Sequence, residues 1–203
     1  MNTLINKYIF YHTKFIGCAS DVDFLPYDFG IEIAFAGYSN VGKSSVLNTI
    51  SNQSKLSYTS KIPGRTHTIN IFEIINGIKL VDLPGYGYVK RYKIFKNEFF
   101  QILINYFKKR RSLKGIFIMM DIRNPLKILD YELINFLLHR NMNIYVLLTK
   151  SDKLSVYQQN NQLKLVHEKL QKINKNIEVT TFSSLKKTGI NHVYHKLNTW
   201  FFT

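Results

Sequence analysis

Gly37, Gly42, Lys43 and Ser44 stand in the spacing G-x-x-x-x-G-K-S within the stretch FAGYSNVGKSSVLN. Glycines at those places let successive backbone N–H groups turn inward around phosphate oxygens at the start of a helix, where the helix dipole also favours negative charge. Tyr38, Ser39, Asn40 and Val41 between them, and Ser45 after them, share the cradle. Lys43 is expected to reach the β- and γ-phosphates, and Ser44 to ligate Mg²⁺. The same letters also describe a Gly-rich turn capped by Ser44. Their place, directly after the β-rich run IEIAFA and directly before a helix, favours the phosphate loop.

Three more stretches carry chemistry that fits this loop. LVDLPGYGY supplies Asp82 and Gly85 as D-x-x-G, with Leu83 and Pro84 between them. Asp82 can hold Mg²⁺ through a water and the Gly85 amide can meet a γ-phosphate, so this loop can sense whether that phosphate is present. In PGRTHTIN, Thr66 is the candidate second Mg²⁺ ligand, flanked by Gly64, Arg65, His67 and Thr68. The base is chosen by LLTKSD, in which Thr149, Lys150, Ser151 and Asp152 close a buried strand. A carboxylate at Asp152 accepts from guanine N1–H and its 2-amino group, donors that adenine lacks, while the stem of Lys150 covers the flat of the ring. Without the phosphate loop, Asp152 would read as an N-cap. TFSSLKK ends the last strand, and amides around Phe182, Ser183 and Ser184 are expected at guanine O6, although the two serines also suit a helix cap.

The elements that must position these residues are legible from periodicity. GIFIMMD and NIYVLLT are continuous apolar runs of the kind buried on both faces of a parallel sheet. In NIFEIINGIKLVDLPG two apolar runs flank Asn76-Gly77, which suits a type I′ turn between antiparallel strands. Leu126, Leu129, Leu133, Phe136 and Leu137 repeat at helical spacing, as do Leu163, Val166, Leu170 and Ile173, then Ile190, Val193, Leu197 and Trp200. Alternating strands and helices imply an α/β fold, a mostly parallel sheet with one antiparallel edge strand and helices on both faces. Residues 1–30 lack a sustained period and read as a leader packed on a single domain spanning 31–203.

Composition bounds the setting. The chain has 203 residues, enough for one well-buried domain, and a single cysteine, Cys18, so it makes no internal disulfide and suits a reducing compartment. No early apolar run escapes Lys7, His12 or Lys14, so no signal peptide or stable membrane insertion is expected and the protein reads as cytoplasmic. With 28 Lys plus Arg against 13 Asp plus Glu, the net charge of +15 favours polyanionic partners. Charge alone does not choose between RNA and an acidic membrane surface.

The ordered set AFAGYSNVGKSS, PGRTHTIN, VDLPGYGY, MDIRNPLK, LLTKSDKL and FSSLKKTGI closely resembles the bacterial EngB (YihA/YsxC) GTPases of ribosome assembly, from about Phe15 to Phe201. Tyr38 and Val41 depart from that pattern, where relatives often carry Arg and Ala, without touching an assigned contact. The resemblance implies a P-loop NTPase fold of the Ras-like G-domain type, GTP and GDP as ligands, Mg²⁺, slow hydrolysis and action on the maturing large ribosomal subunit and its rRNA. It also places the chain among proteins tied to septation and cell division; a monomer is expected.

Ras-type GTPases follow the D-x-x-G glycine with a Gln that orients water, whereas this chain has Tyr86. Catalysis is then expected from Lys43, Thr66 and, through a possible K⁺ ion, Asn40. Asn40 looks like the K⁺-coordinating Asn of cation-stimulated GTPases, and an Asx bond holding the turn accounts for it equally well. Arg65 can face transition-state charge, solvent or RNA. Beyond Gly87, YVKRYKIFKNEFF places Lys90, Arg91, Lys93 and Lys96 beside aromatic residues as candidate rRNA contacts, and Lys108 to Arg111 extend the basic run. The competing reading is a basic rRNA- or membrane-surface module in which nucleotide is structural.

Overall fold

The structure, a computed structural model, describes residues 7–57, 68–87 and 98–202. In chain order these form β1 (Lys14–Ala19), β2 (Ile31–Gly37), α1 (Lys43–Ile50), β3 (Ile69–Ile75), β4 (Ile78–Asp82), α2 (Glu98–Lys109), β5 (Leu113–Asp121), α3 (Ile128–Leu138), β6 (Asn143–Thr149), α4 (Val156–Ile173), β7 (Glu178–Thr181) and α5 (Ile190–Phe202). The strands make one sheet in the order β1-β3-β4-β2-β5-β6-β7. Pairing is parallel from β4 through β7, and β3 runs antiparallel to both of its neighbours. A doubly wound sheet of this kind gathers its ligand loops beyond the carboxyl ends of the strands.

Side-chain alternation builds two cores from the same strands. Ala34 and Ala36 of β2 face a cluster with Leu103 of α2, Leu133 of α3 and Leu170 of α4, while Ile33 and Phe35 face Leu47 of α1 and Leu197 of α5. The runs GIFIMMD and NIYVLLT are β5 and β6, buried because helices cover both faces. Phe35 and Phe117 stack with ring centroids 5.0 Å apart inside the second core.

Three local expectations change in the structure. The β3–β4 hairpin forms, but of Asn76-Gly77 only Gly77 has positive φ, at 80°, so the turn is not type I′. The Gly77 carbonyl accepts from Ile31 N–H at 2.7 Å and an irregularity between Glu73 and Ile75 takes up the twist, so the turn is shaped by its tie to β2. Helix α3 starts at Ile128: Leu126 sits at φ 56°, and Lys127 N–H donates to Asp130 Oδ2 at 2.9 Å, closing the first turn from inside. Finally, KFIGCA in the aperiodic leader forms β1, paired with β3. The same leader is held by Arg110, which donates to Pro26 O at 2.9 Å while forming a buried ion pair with Glu32 of β2, whose carboxylate also accepts from Tyr106 at 2.8 Å.

Candidate nucleotide-binding site

The phosphate loop folds as its glycines require. Gly42 has φ 106° with open space where a Cβ would stand, so backbone conformation and not crowding demands glycine there. Helix α1 begins at Lys43 with no side chain capping its N-terminus, which removes the capping role for Ser44 and leaves the first N–H groups facing the loop. Asn40 sits at φ 62° and makes no side-chain hydrogen bond to the described residues, so the Asx bond is absent and left-handed backbone accounts for Asn.

Behind the loop, charge is crowded and incompletely matched. Burial pushes the Lys43 ammonium below its ordinary pKa, against the opposing pull of Asp82. Burial likewise raises Asp82, opposed by Lys43, Ser57 and Ser44. Ser57 Oγ donates to Asp82 Oδ2 at 2.9 Å and Ser44 Oγ approaches the same oxygen at 3.4 Å. Asp82 Oδ1 is buried with no hydrogen-bond partner among the described residues. A hydroxyl beside an orphaned carboxylate oxygen is a hard oxygen donor set, which fits Mg²⁺.

Ser57 carries no sequence signal. It lies in a loop after α1, brought to Asp82 by Asn48, whose Oδ1 accepts from Ser57 N–H at 2.8 Å and whose Nδ2 donates to Ser57 O at 2.9 Å. Thr68 keeps its hydroxyl on Asn70 Oδ1 at 3.3 Å, and Asn70 pairs across from Asp82. Gly64, Arg65, Thr66 and His67 lie outside the described residues, as do Lys90, Arg91, Lys93 and Lys96.

The base end is knitted to the phosphate loop by direct bonds. Thr149 Oγ1 donates to Val41 O at 2.7 Å, and the Lys150 ammonium donates to Asn40 O at 2.7 Å while standing 3.2 Å from Asp121 Oδ2. Lys150 adopts φ 58°, a strained geometry for a lysine that lays its stem back toward the loop. Ser151 N–H donates to Phe182 O at 3.1 Å, joining β6 to the TFSS segment.

Asp152 is held by that segment: Ser183 Oγ donates to its Oδ1 at 2.6 Å, a bond that leads the causes keeping its carboxyl below the ordinary value. The next helix is capped instead by Ser155, which exchanges bonds with Gln158, so the N-cap reading of Asp152 fails. Ser183 N–H is committed to Thr188 O at 3.2 Å, and its hydroxyl also accepts from Lys186 N–H at 3.1 Å.

Three further residues have partners that the sequence reading did not give. Tyr86 is fully buried and donates its hydroxyl to Asp130 Oδ1 at 2.7 Å. Within the basic run Lys108 to Arg111, Arg110 is the buried partner of Glu32 and Lys109 pairs with Asp23 at 2.6 Å, so these two do not form a free cationic face. Their partners lie in the leader and in β2, far away in sequence, and no local pattern marks them.

Residues 32–150 match the family described as 50S ribosome-binding GTPase. The chain is 49% identical over 189 residues, 93% of its length and 90% of the relative's, to a probable GTP-binding protein EngB of Salmonella paratyphi C (strain RKS4594). It is 47% identical over 199 residues, 98% and 93% of the two chains, to the probable GTP-binding protein EngB of Escherichia coli O1:K1 / APEC. Among solved structures it resembles a probable GTP-binding protein engB with TM-score 0.63 at 23% identity, over 83% of this chain and 98% of that one. Era in complex with MgGDPNP and nucleotides 1506–1542 of 16S ribosomal RNA aligns with TM-score 0.65 at 22% identity, over 86% and 57%. None of the described helices is long and apolar enough to cross a membrane.

Proposed function

The chain belongs to the EngB family of GTP-binding GTPases, and from that premise we propose that it is a slow GTP-hydrolysing switch in assembly of the large ribosomal subunit. The observation that carries the nucleotide reading is the bonding of Thr149 and Lys150 to the Val41 and Asn40 carbonyls. It fixes the base acceptor Asp152 at a set span from the phosphate loop, and a guanine nucleotide is the ligand with an anion at one end and two ring donors at the other.

In this reading the α1 N-terminus and the loop amides hold the β-phosphate, and Lys43, buried beside Asp82, pairs its ammonium with a phosphate oxygen. Ser44, Thr66 and Asp82, the last through a water, are the residues that would hold Mg²⁺, which when bound neutralises charge on the β- and γ-phosphates. Gly85 presents its amide to the γ-phosphate. Tyr86 lies buried on Asp130, so the position that orients water in Ras-type enzymes supplies no such group, and hydrolysis is slow for that reason. The net charge of +15 supports an rRNA-rich partner, met through the segment with Lys90, Arg91, Lys93 and Lys96.

Co-sedimentation with large ribosomal subunits and their precursors, in GTP, GDP and no nucleotide, tests the switch. Binding in GTP that falls at least about tenfold in GDP is expected for a coupling of ordinary size. Equal binding in all three states would replace the switch with a basic binding module.

A further inference from the structure

The D-x-x-G loop is fixed from both sides, and only one of the fixings belongs to the chemistry already described. On its N-terminal side Asp82 is tied to Ser57 and Ser44. On its C-terminal side Tyr86 makes an isolated parallel bridge with Tyr38: Ser39 N–H donates to Tyr86 O at 2.9 Å and Tyr86 N–H to Gly37 O at 3.3 Å. Between these pins, Gly85 O accepts from Ser39 Oγ at 3.2 Å, and a Cβ on Gly85 would come within 2.9 Å of Ser39 Cα, so glycine alone allows this approach. These bonds fix the Gly85–Tyr86 peptide; the Gly85 N–H belongs to the preceding peptide and takes its direction from that one across the Gly85 Cα, with Tyr86 as the anchor.

Tyr86 is held by α3. Its ring packs at 4.8 Å from Tyr38 and 6.5 Å from Phe100, and its hydroxyl reaches Asp130. The two Asp130 oxygens have separate tasks, Oδ1 accepting from Tyr86 and Oδ2 from the Lys127 amide. An asparagine accepts with its one oxygen and donates with its amide, so toward Tyr86 it would offer a neutral donor in place of a charged acceptor and the hydroxyl would have to turn round. The next residue, Gly87, turns to φ 93°.

We propose that Asp130 is a positioning residue for γ-phosphate recognition: through the Tyr86 hydroxyl it sets the Gly85 amide, and so sets the preference for GTP over GDP. The inference rests on the GTPase reading. It adds to it a residue on α3 that touches no nucleotide, and it makes the start of α3 sensitive to the phosphate state, since any shift of Gly85 that moves Tyr86 also pulls on the group that closes the first turn of that helix.

Tyr86→Phe, which keeps the ring, and Asp130→Asn are the variants, with equilibrium GTP and GDP affinities in Mg²⁺ as the readout. Each is expected to lower the GTP-to-GDP affinity ratio by about tenfold, the effect of losing a hydrogen bond to a charged group, with GDP affinity within about twofold of the parent. The double variant is expected to lose no more than Tyr86→Phe alone, because both substitutions act on the same bond. A merely structural role would lower Tm and leave the ratio alone. Parent-like ratios in both variants overturn the proposal, as does a loss in Asp130→Asn that Tyr86→Phe does not share; if Asp130→Asn does not fold, Tyr86→Phe decides alone. A parent that binds neither nucleotide would instead overturn the GTPase reading, and this inference with it.

Discussion

The two ends of the proposed nucleotide site are built on opposite principles. At the base end Asp152 already has its partner in Ser183, the Ser183 amide has Thr188, and Lys150 has Asn40 O and Asp121. At the phosphate end burial works against the charges of both Lys43 and Asp82, and Asp82 Oδ1 has no partner among the described residues. The contrast teaches where binding free energy is gained. A prebuilt base pocket selects, because a mismatched ring leaves its satisfied acceptors with lost bonds, whereas an unmatched phosphate end is completed by a metal-bound triphosphate and so responds to it.

The largest effect is expected at the end whose charges are least matched. Lys43→Ala removes a cation that burial holds there among the described residues, and GTP affinity or turnover should fall by about 10²–10³, the scale of losing one preorganised donor. Filter binding and single-turnover hydrolysis check this; near-parent values would mean the phosphates lie elsewhere.

Proton linkage separates the ends by sign. Asp130, which anchors the phosphate-sensing loop, is raised by burial to about 6 from 3.8, despite favourable bonds from Tyr86 and Lys127 N–H; the groups facing it are Tyr86, Tyr38 and Lys127. A raised carboxyl contributes stability that is full below its unfolded value and lost as pH climbs through about 6. Urea unfolding of the parent should therefore lose on the order of 3 kcal/mol relative to Asp130→Asn between pH 4 and pH 7. Asp152, held below its ordinary value, works in the other direction, its stability being lost as pH falls. A parent that gains on the variant as pH rises would contradict the first sign.

At the base end the effects are smaller and are exchanges of specificity. Asp152→Asn swaps an acceptor for a donor, so GTP affinity should drop about a hundredfold while XTP gains, read in a competition assay. Unchanged GTP binding with no gain for XTP would remove Asp152 from the base pocket. Ser183→Ala removes one bond to a carboxylate that remains charged, and a GTP affinity lowered by only about three- to tenfold is expected, with the preference for guanine kept. Loss of that preference would show Ser183 to be a specificity contact in its own right.

The sequence was most legible where chemistry and local geometry coincide. The phosphate loop needs glycine at Gly42 because of its backbone, and β5 and β6 are read from unbroken apolar runs because helices cover both faces. It was least legible where partners are distant. Arg110 looks like one more cation in KKRR until Glu32 meets it, and Ser57 sits in a loop without a motif until Asn48 delivers it to Asp82. Strand β1 escaped notice because its first three residues are exposed and one neighbour, β3, defines it, so no apolar alternation marks it. Tyr86 shows the limit most clearly: its identity excludes the role of Gln, but nothing local shows that its hydroxyl belongs to Asp130 on another helix.

The central claim is that a prebuilt guanine pocket and a charge-hungry phosphate loop are bonded into one site. Equilibrium competition between GTP and ATP for the full chain, with Mg²⁺ and with the metal chelated, tests both halves at once. The account expects GTP to be preferred over ATP by at least about a thousandfold in either condition, as for sites built to hydrogen-bond their ligand, and GTP itself to bind more weakly when Mg²⁺ is removed. Equal affinity for the two nucleotides, or GTP affinity indifferent to Mg²⁺, would contradict it.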